Sequence, residues 1–522
     1  MTRFLPLTAR LAGVLTLMTG LHAQQLRHVQ QRIADGVIEG VVSADGKVRT
    51  FKGIPYAAPP VGPLRWQPPQ PVQPWTGVRP AIDYGPRAMQ GRIFDDMVFH
   101  DTGPSEDCLY LNVWLPEDQP HEKLPVMVWI HGGGFVAGAS SEPRQDGGNL
   151  CKRGVIVVSM NYRMGIFGFM AHPELTAESA HHASGNYGLM DIVASLQWVH
   201  DNIAAFGGDP GNVTIFGESA GSWAVSALMA APPARGLFQR AIGESGGFVG
   251  GPSRAQPTRA DAEQSTLDYT QKAFGTSSLA DLRALPAQKL LDATLEQPRP
   301  HFSAIVDGYV LPADGRSIFG TGQQAHVPLL AGWNRDEGNY RALFGDDAPT
   351  LMNYVLHAVQ HFGDRAQGFL KAYSATTDAE AKRAAADWSG DNFIAYSTWK
   401  WIDLCRATGG QPVYRYHFEQ TLPLAADAPS GAEPIAPHAS DIEFVFEMLP
   451  TRHEAWRPDD FKVSAMMAAY WTNFAKTGNP NGPGLPEWPR YDAGDGYQVM
   501  HLNAHAAAAP DQHRDRYEFL DR

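Results

Sequence analysis

The chain has 522 residues, of which 43% are hydrophobic and 19% charged, and its formal net charge is -13 at pH 7. This composition excludes a disordered protein, because it supplies enough apolar side chains for a large folded core. The acidic balance argues against anionic partners, so we expect neither nucleic acid nor an anionic membrane surface.

The first residues predict a secretory signal peptide over residues 1–23. Residues 1–10 carry two arginines and no acid, residues 11–21 are apolar or small, and Ala23 supplies a small residue for cleavage. This order is typical of a signal peptide, whereas a bilayer span needs ~20 apolar residues. We therefore expect a secreted or periplasmic protein with no membrane anchor, cleaved after Ala23.

Strand patterns follow this segment. Gly40–Phe51 predicts a β-hairpin around Asp45-Gly46, and the prolines from Pro55 to Pro80 predict irregular surface chain, because proline interrupts strand ladders. Further buried strands are predicted at Pro125–Ile130, Val155–Met160, Val213–Phe216, within Gly236–Ser245 and at Val327–Ala331, and helices at Asp191–Ile203 and Ser222–Ala231. Apolar strands that alternate with helices indicate an α/β fold, with a mostly parallel sheet covered on both faces.

Residues 255–428 are mostly helical in pattern, with a strand at Val413–Phe418. They could form a separate domain, or they could be helices inserted over the edge of the sheet. The candidate catalytic residues described below lie before, within and after this region. This distribution favours one continuous domain over residues 24–522.

Gly217-Glu218-Ser219-Ala220-Gly221 lies directly between a predicted strand and an apolar helix. This is the spacing of a nucleophile elbow, in which a sharp turn projects the serine oxygen above the sheet. Glycines on both sides remove side chains that would collide with the turn. G-x-S-x-G alone is a common pattern, but the flanking strand and helix make Ser219 a strong candidate nucleophile.

A second glycine-rich segment, His131-Gly132-Gly133-Gly134-Phe135, follows the strand at Pro125–Ile130. Backbone N–H groups of Gly133 and Gly134 could bind a developing oxyanion, with the N–H of Ala220 as a third donor. The alternatives are a flexible turn and a phosphate-binding loop, but no Lys-Ser/Thr follows and no helix begins there. Together with the elbow, an oxyanion hole is favoured.

Several longer motifs resemble those of the type-B carboxylesterases, the carboxylesterase and cholinesterase branch of the α/β hydrolases. They are FGGDPGNVTIF at 206–216, EDCLYLN at 106–112, FKGIPYA at 51–57, NYR at 161–163, GNYGLMD at 185–191 and WTNFAKTGNPN at 471–481. The resemblance covers nearly all of the mature chain, in the family's order. It implies the α/β-hydrolase fold, helical insertions that form a gorge over the serine, and cleavage of small-molecule carboxylic esters.

The resemblance also implies the partners of Ser219. The family's acid is the glutamate of a D-E-G stretch, which here is Glu337, and its base is a histidine that matches His438. The order serine, acid, histidine is that of the α/β hydrolases. Asp336 is a competing acid and Asp441 a weaker one.

Two further residues match the family near these three. Glu218 would tune the electrostatic potential of the gorge, the alternative being an exposed residue with no role. Ser245, in Glu244-Ser245-Gly246-Gly247, matches a family serine near the triad, and a purely structural role is equally open.

The sequence departs from the family in one region. The family bridges the cysteine that matches Cys108 to a second cysteine, and that second position here is Ala88. The intervening loop is short and lacks the tryptophan on which cholinesterases stack a quaternary ammonium by cation–π attraction. We therefore do not expect choline esters as substrates. Cys108, Cys151 and Cys405 are the only cysteines, an odd number, and whether any two of them pair stays open.

Three functional interpretations remain. The first is a secreted serine esterase with a Ser-His-Glu triad. The second is a narrower enzyme on the same site, such as a feruloyl or mycotoxin ester hydrolase or an amidase, and the third is a binding module without catalysis. Candidates for the gorge wall that would set the substrate are Phe135, Trp223, Phe248 and Phe302, each equally explained as core.

No metal-ligand spacing and no dinucleotide fingerprint occur in the sequence, so we expect no metal and no cofactor. His181 and His182 are interpreted as a solvated pair. The oligomeric state is not encoded in any pattern that we recognise.

Overall fold

A computed structural model describes residues 27–118, 123–251, 256–424, 428 and 431–522, and the predicted signal peptide lies outside these ranges. The strands are β1 (His28–Ile33), β2 (Gly36–Val42), β3 (Val48–Pro55), β4 (Val78–Pro80), β5 (Arg87–Ala88), β6 (Pro104–Ser105), β7 (Tyr110–Pro116), β8 (Leu124–Ile130), β9 (Ile156–Met160), β10 (Gly208–Glu218), β11 (Arg240–Glu244), β12 (Leu329–Asn334), β13 (Val413–Phe418), β14 (Gln498–Leu502) and β15 (Ala507–Pro510).

The helices divide into those before and those after β12. Before it lie α1 (Gly148–Cys151), α2 (Gly165–Phe169), α3 (Pro173–Glu178), α4 (Tyr187–Asn202), α5 (Ala220–Ala230), α6 (Arg259–Phe274), α7 (Leu279–Ala284), α8 (Ala287–Leu295) and α9 (Gly315–Gly320). After it lie α10 (Arg341–Phe344), α11 (Leu351–Phe362), α12 (Ala366–Ala372), α13 (Asp378–Gly390), α14 (Tyr396–Thr408), α15 (Ile442–Val445), α16 (Pro458–Thr477) and α17 (Arg514–Asp521).

One large sheet has the strand order β1-β2-β3-β7-β9-β8-β10-β11-β12-β13-β14-β15, with β4 paired to β2. From β9 through β14 every neighbouring pair is parallel. Toward both ends of this strand order the neighbouring pairs are antiparallel, whereas β4 pairs with β2 in parallel. Helices between successive parallel strands cover the sheet. The predicted fold class, a large and mostly parallel sheet flanked by helices, is confirmed.

The core lies on both faces of this sheet. Along β8, Val126, Val128 and Ile130 belong to one buried apolar cluster, whereas Met127 and Trp129 belong to another. Successive side chains of a strand point to opposite faces, so the two clusters occupy opposite sides of the sheet. This explains why the central strands have continuous apolar sequences rather than alternating ones.

The predicted hairpin is confirmed, because β2 and β3 pair antiparallel on either side of Asp45-Gly46. The prediction of wholly irregular chain from Pro55 to Pro80 is wrong at its end, where Val78–Pro80 forms β4 beside β2. A three-residue strand at the margin of a sheet tolerates a terminal proline, because few ladder hydrogen bonds are required there.

The helical region at residues 255–428 is connected to the main sheet. In the chain, α6 to α9 precede β12, and α10 to α14 lie between β12 and β13. Both of these strands pair within the large sheet. In the described part of the chain, no helix combines the length and the apolar character that a membrane crossing needs.

Candidate active site

Ser219 occupies the turn between β10 and α5, with φ 55° and ψ −120°. This left-handed backbone is strained for a residue with a side chain, and the Ser219 N–H is held by the Glu244 carbonyl at 2.8 Å. A Cβ at Gly217 would lie 2.6 Å from the Ile130 carbonyl oxygen, and one at Gly221 only 2.0 Å from it. The two flanking glycines are therefore required by direct contact with β8.

The three predicted catalytic side chains form one hydrogen-bonded chain. His438 Nε2 lies 2.9 Å from Ser219 Oγ, and His438 Nδ1 lies 2.6 Å from Glu337 Oε2. Glu337 is held in turn, because its Oε1 accepts hydrogen bonds from Ser245 Oγ at 2.5 Å and from the Asn334 N–H at 2.9 Å. Ser245 thus contacts the predicted acid directly and fixes its orientation.

The competing acids contact other groups. Asp336 forms ion pairs with Arg335 and Arg383, and its Oδ2 accepts the Ala436 N–H at 2.8 Å. Burial alone would raise the pKa of Asp336, but its hydrogen bonds and the two arginines outweigh burial and lower it. Asp336 therefore fastens the loop that precedes His438, instead of contacting the imidazole.

Asp441, the weaker competitor, accepts hydrogen bonds from Asn334 Nδ2 and Tyr416 OH, both at 3.1 Å. Burial raises the pKa of Asp441 to about 6. It supports the same region, but among the described contacts the partner of His438 Nδ1 is Glu337.

Glu218 is a buried neighbour of His438, so the alternative of an exposed residue with no role is wrong. Its side chain is 3% exposed, and its Oε1 lies 3.3 Å from His438 Nε2. Burial raises the pKa of Glu218 to about 8, although the nearby His438 acts in the opposite direction and lowers it. Burial also lowers the pKa of His438, but Glu218 and Glu337 outweigh it, and the net direction is upward.

The glycine-rich loop lies against the nucleophile. A Cβ at Gly132 would lie 2.6 Å from the Glu218 carbonyl oxygen and 3.1 Å from Ser219 Cβ. Gly133 and Gly134 both have left-handed backbones, with φ 98° and 64°. The loop can therefore pass close to Ser219 only with glycines at these positions.

Ala220 is the first residue of α5 and directly follows Ser219. The N–H groups in the first turn of a helix have no partner within the helix and carry a partial positive charge. The predicted oxyanion donors thus come from two elements that meet at Ser219, the glycine loop and the start of α5.

A cavity of about 390 Å³ lies beside these residues. Phe135, Trp223 and Phe248 line it as predicted, whereas Phe302 does not, because its ring packs edge-on against Tyr269. The remaining lining residues include His301, Ser303, Asn392, Phe393 and Ser397.

Phe393 was missed by the sequence reasoning, although its ring lies 5.2 Å from the His438 ring. It sits in a short π-helical turn, Asp391–Ala395, between α13 and α14, and it is 52% exposed. No local pattern distinguishes this phenylalanine from the many others of the helical region.

The sequence also singled out three cysteines and His181, and the structure shows the state of each. Cys108, Cys151 and Cys405 are free and buried, so the bridge that the family would form at Cys108 is absent. Exposed His181 stacks on Tyr309, with ring centroids 3.7 Å apart.

Comparison with known proteins identifies the family. The model of the Carboxylesterase family matches residues 26–520. Fumonisin B1 esterase of Sphingopyxis macrogoltabida is 36% identical over 483 residues, which cover 90% of this chain and 84% of that protein. The medium-chain fatty acyl-CoA hydrolase precursor of Anas platyrhynchos is 35% identical, covering 95% and 92%, and carboxylesterase 1E of Mus musculus is 35% identical, covering 86% and 85%.

The fold and these relatives define the class of protein: a carboxylic-ester hydrolase built on the α/β-hydrolase fold. The chain belongs to the carboxylesterase family. The resemblance seen in the sequence motifs is therefore confirmed across nearly the whole chain.

Proposed function

We propose that the chain is a serine esterase in which Ser219 is the nucleophile, His438 the general base and Glu337 the acid. The observation that carries this proposal is the continuous hydrogen-bonded chain from Ser219 Oγ through both nitrogens of His438 to Glu337. In the neutral tautomer with hydrogen on Nδ1, the imidazole donates to Glu337 and accepts from the serine hydroxyl, which is the arrangement that activates a serine.

The reaction has two halves. Ser219 Oγ attacks the ester carbonyl while its proton passes to His438 Nε2, and the resulting imidazolium is stabilised by Glu337. His438 then returns the proton to the leaving alcohol, which leaves an acyl group on Ser219. A water molecule attacks this acyl-enzyme by the same proton transfers, releasing the carboxylic acid and restoring the serine.

The oxyanion formed in each half would be bound by the N–H groups of Gly133, Gly134 and Ala220. The close approach of the glycine loop to Ser219 and the position of Ala220 at the start of α5 support this assignment. Loss of one such donor typically costs ~3 kcal/mol of transition-state stabilisation.

The cavity beside the serine favours esters with an apolar or aromatic group. Phe135 directly follows Gly134, Trp223 lies one turn of α5 after Ser219, and Phe393 contacts the His438 ring. Together with Phe248, these rings line a space of about 390 Å³. Such a space accommodates a small organic group, and aromatic walls bind it by apolar contact.

A narrower activity is the second candidate. The similarity to a protein named fumonisin B1 esterase favours a mycotoxin ester among the narrower substrates. Fold and triad are shared between broad and narrow esterases, so the gorge wall decides between them.

The proposal includes export. Residues 1–23 would be removed, and residues 24–522 would form one secreted or periplasmic domain. The support is the basic, apolar and small-residue order of the first residues. Amino-terminal sequencing of protein recovered from the medium or periplasm should begin after Ala23, and an intact Met1 in that fraction would contradict the proposal.

The activity is tested with p-nitrophenyl acetate, butyrate, octanoate and benzoate, the amide analogue p-nitroacetanilide, and fumonisin B1. We expect hydrolysis of the p-nitrophenyl esters, with kcat/KM rising from acetate to the larger acyl groups. Ser219→Ala should lose this activity. Ser222→Ala is the matched control, because Ser222 is buried on α5 close to Ser219 in the chain, and its hydroxyl donates to the Gly246 carbonyl at 2.6 Å. Full activity in Ser219→Ala would refute the proposal, and hydrolysis of fumonisin B1 alone would establish the narrower function.

A further inference from the structure

A group of three potential metal ligands lies at the end of two neighbouring strands. His417 on β13 and His501 on β14 are directly paired in the register of these parallel strands, and Glu419 follows β13. His417 Nδ1 lies 2.9 Å from Glu419 Oε1, and His501 Nδ1 lies 2.6 Å from the same oxygen. Two imidazoles therefore converge on one carboxylate oxygen.

The spacing of these atoms suits a bound transition metal. One ligand atom from each side chain lies within 4.8 Å of the other two. Two atoms that each bind a tetrahedral ion at ~2.1 Å stand ~3.4 Å apart. Small rotations of His417 and His501 away from Glu419 would therefore place one ion between the three side chains, without movement of the strands.

The Glu419 carboxylate is held in an orientation that suits a metal ligand. Its second oxygen, Glu419 Oε2, accepts a hydrogen bond from Asn503 Nδ2 at 2.9 Å, which fixes the plane of the group. An oriented carboxylate beside two imidazoles is a ligand set that Zn²⁺ accepts.

The three side chains also face a space with room for a further ligand. They line a cavity of about 270 Å³, and the predicted acid Glu337 lies in the wall of the same cavity. Each arginine in this wall has an acidic partner: Arg335 pairs with Asp336, Arg383 with Asp336 and Asp387, Arg415 with Asp511, and Arg516 with Asp387.

We propose that His417, Glu419 and His501 bind one divalent transition-metal ion of the Zn²⁺ type, with water or a small ligand in the open position. This ion would join the ends of β13 and β14 and stabilise the fold. The site is separate from Ser219, and the proposal does not depend on the esterase mechanism. From the sequence we expect no metal, because the two histidines are far apart in the chain and become neighbours only through the strand order.

The probe is ZnCl₂, added to full-length protein that has first been treated with a chelator and then freed of it. Isothermal titration calorimetry should give one Zn²⁺ per chain, and the thermal midpoint should rise with Zn²⁺, because an ion that binds only the folded state stabilises it. His501→Asn and Glu419→Gln should each lose binding by more than about a hundredfold. Asn503→Ala should weaken it by about tenfold to a hundredfold, because Asn503 only orients the carboxylate.

His505→Asn is the matched control, because His505 is exposed and lies near His501 in the chain. It should bind Zn²⁺ as the unaltered protein does. Circular dichroism of each variant without metal establishes that it is folded. Glu419→Gln keeps the volume of the side chain and one acceptor oxygen. Absence of Zn²⁺ binding to the unaltered protein would overturn the proposal. Binding that persists in folded His501→Asn and Glu419→Gln would overturn it equally, because the ion would then lie elsewhere.

Discussion

The contact between Glu218 and His438 predicts a measurable effect on the pH dependence of the enzyme. Burial raises the pKa of Glu218 to about 8, so above that pH Glu218 carries a negative charge 3.3 Å from His438 Nε2, where it favours the protonated imidazole. Only the neutral imidazole can accept the proton of Ser219. Glu218→Gln removes this charge and keeps the shape of the side chain. His438 should then lose its proton at a lower pH, and the acidic limb of kcat/KM should move in the same direction.

The size of the shift follows from the distance. At 3.3 Å, two unit charges interact by ~1.3 kcal/mol with the dielectric constant of water and by ~5 kcal/mol with a constant of 20. One pKa unit corresponds to about 1.4 kcal/mol, so the expected range is about one to four units. The His438 side chain is 28% exposed, and access of water favours the lower end, about one unit.

The assay is kcat/KM for p-nitrophenyl butyrate at constant ionic strength, over a pH range that extends to both sides of the Glu218 pKa. The limb reports the apparent pKa of the coupled Glu218–His438 pair, so its position, and not the height of the plateau, is the test. Glu296→Gln is the control, because it removes the same charge from an exposed position. A limb that stays in place in Glu218→Gln, or that moves to higher pH, would refute the electrostatic reasoning.

Three further substitutions have distinct expected results. Gly132→Ala should lower kcat for p-nitrophenyl butyrate by about a hundredfold or more, because the new Cβ would lie 2.6 Å from the Glu218 carbonyl and displace the loop that carries the oxyanion donors. Asp511→Asn should lower the free energy of unfolding in urea by about 3 to 5 kcal/mol, since buried Arg415 loses its anionic partner. Phe393→Ala should raise KM for p-nitrophenyl benzoate more than for the acetate, because the ring lines the cavity beside His438.

For each of these substitutions, one result would contradict the stated reason. Unchanged kcat in Gly132→Ala would show that the loop does not contribute donors. An unfolding free energy that is unaffected in Asp511→Asn would show that aromatic contacts alone hold Arg415, whose guanidinium lies 4.2 Å from the Trp333 ring. Equal changes in KM for both esters in Phe393→Ala would show that this ring does not select the acyl group.

The elbow could be predicted from the sequence because all its determinants are local. Gly217, Ser219 and Gly221 lie within five residues, and the strand and helix on either side have their own apolar patterns. The sequence does not show that these glycines contact Ile130. It does show the G-x-S-x-G pattern that this contact requires. The same applies to the hairpin around Asp45-Gly46, whose turn and strands are consecutive.

Contacts between distant segments could not be predicted in this way. Glu218 directly precedes Ser219 in the sequence, but its burial against His438 depends on a loop far along the sequence. Phe302 and Phe393 are both aromatic residues of the helical region, and only the folded chain shows which of them faces the cavity. The positions of Glu337 and His438 were inferred through the family resemblance, because nothing in the spacing distinguishes one histidine from the others.

The central claim is that Ser219 is the residue that forms the acyl-enzyme, and covalent labelling tests it most directly. The protein is treated with a fluorophosphonate, and peptide mass spectrometry locates the modified residue. We expect one adduct per chain on Ser219 Oγ, loss of esterase activity in proportion to labelling, and no adduct in Ser219→Ala. An adduct on another residue that accompanies the loss of activity, or esterase activity that survives complete modification of Ser219, would contradict it.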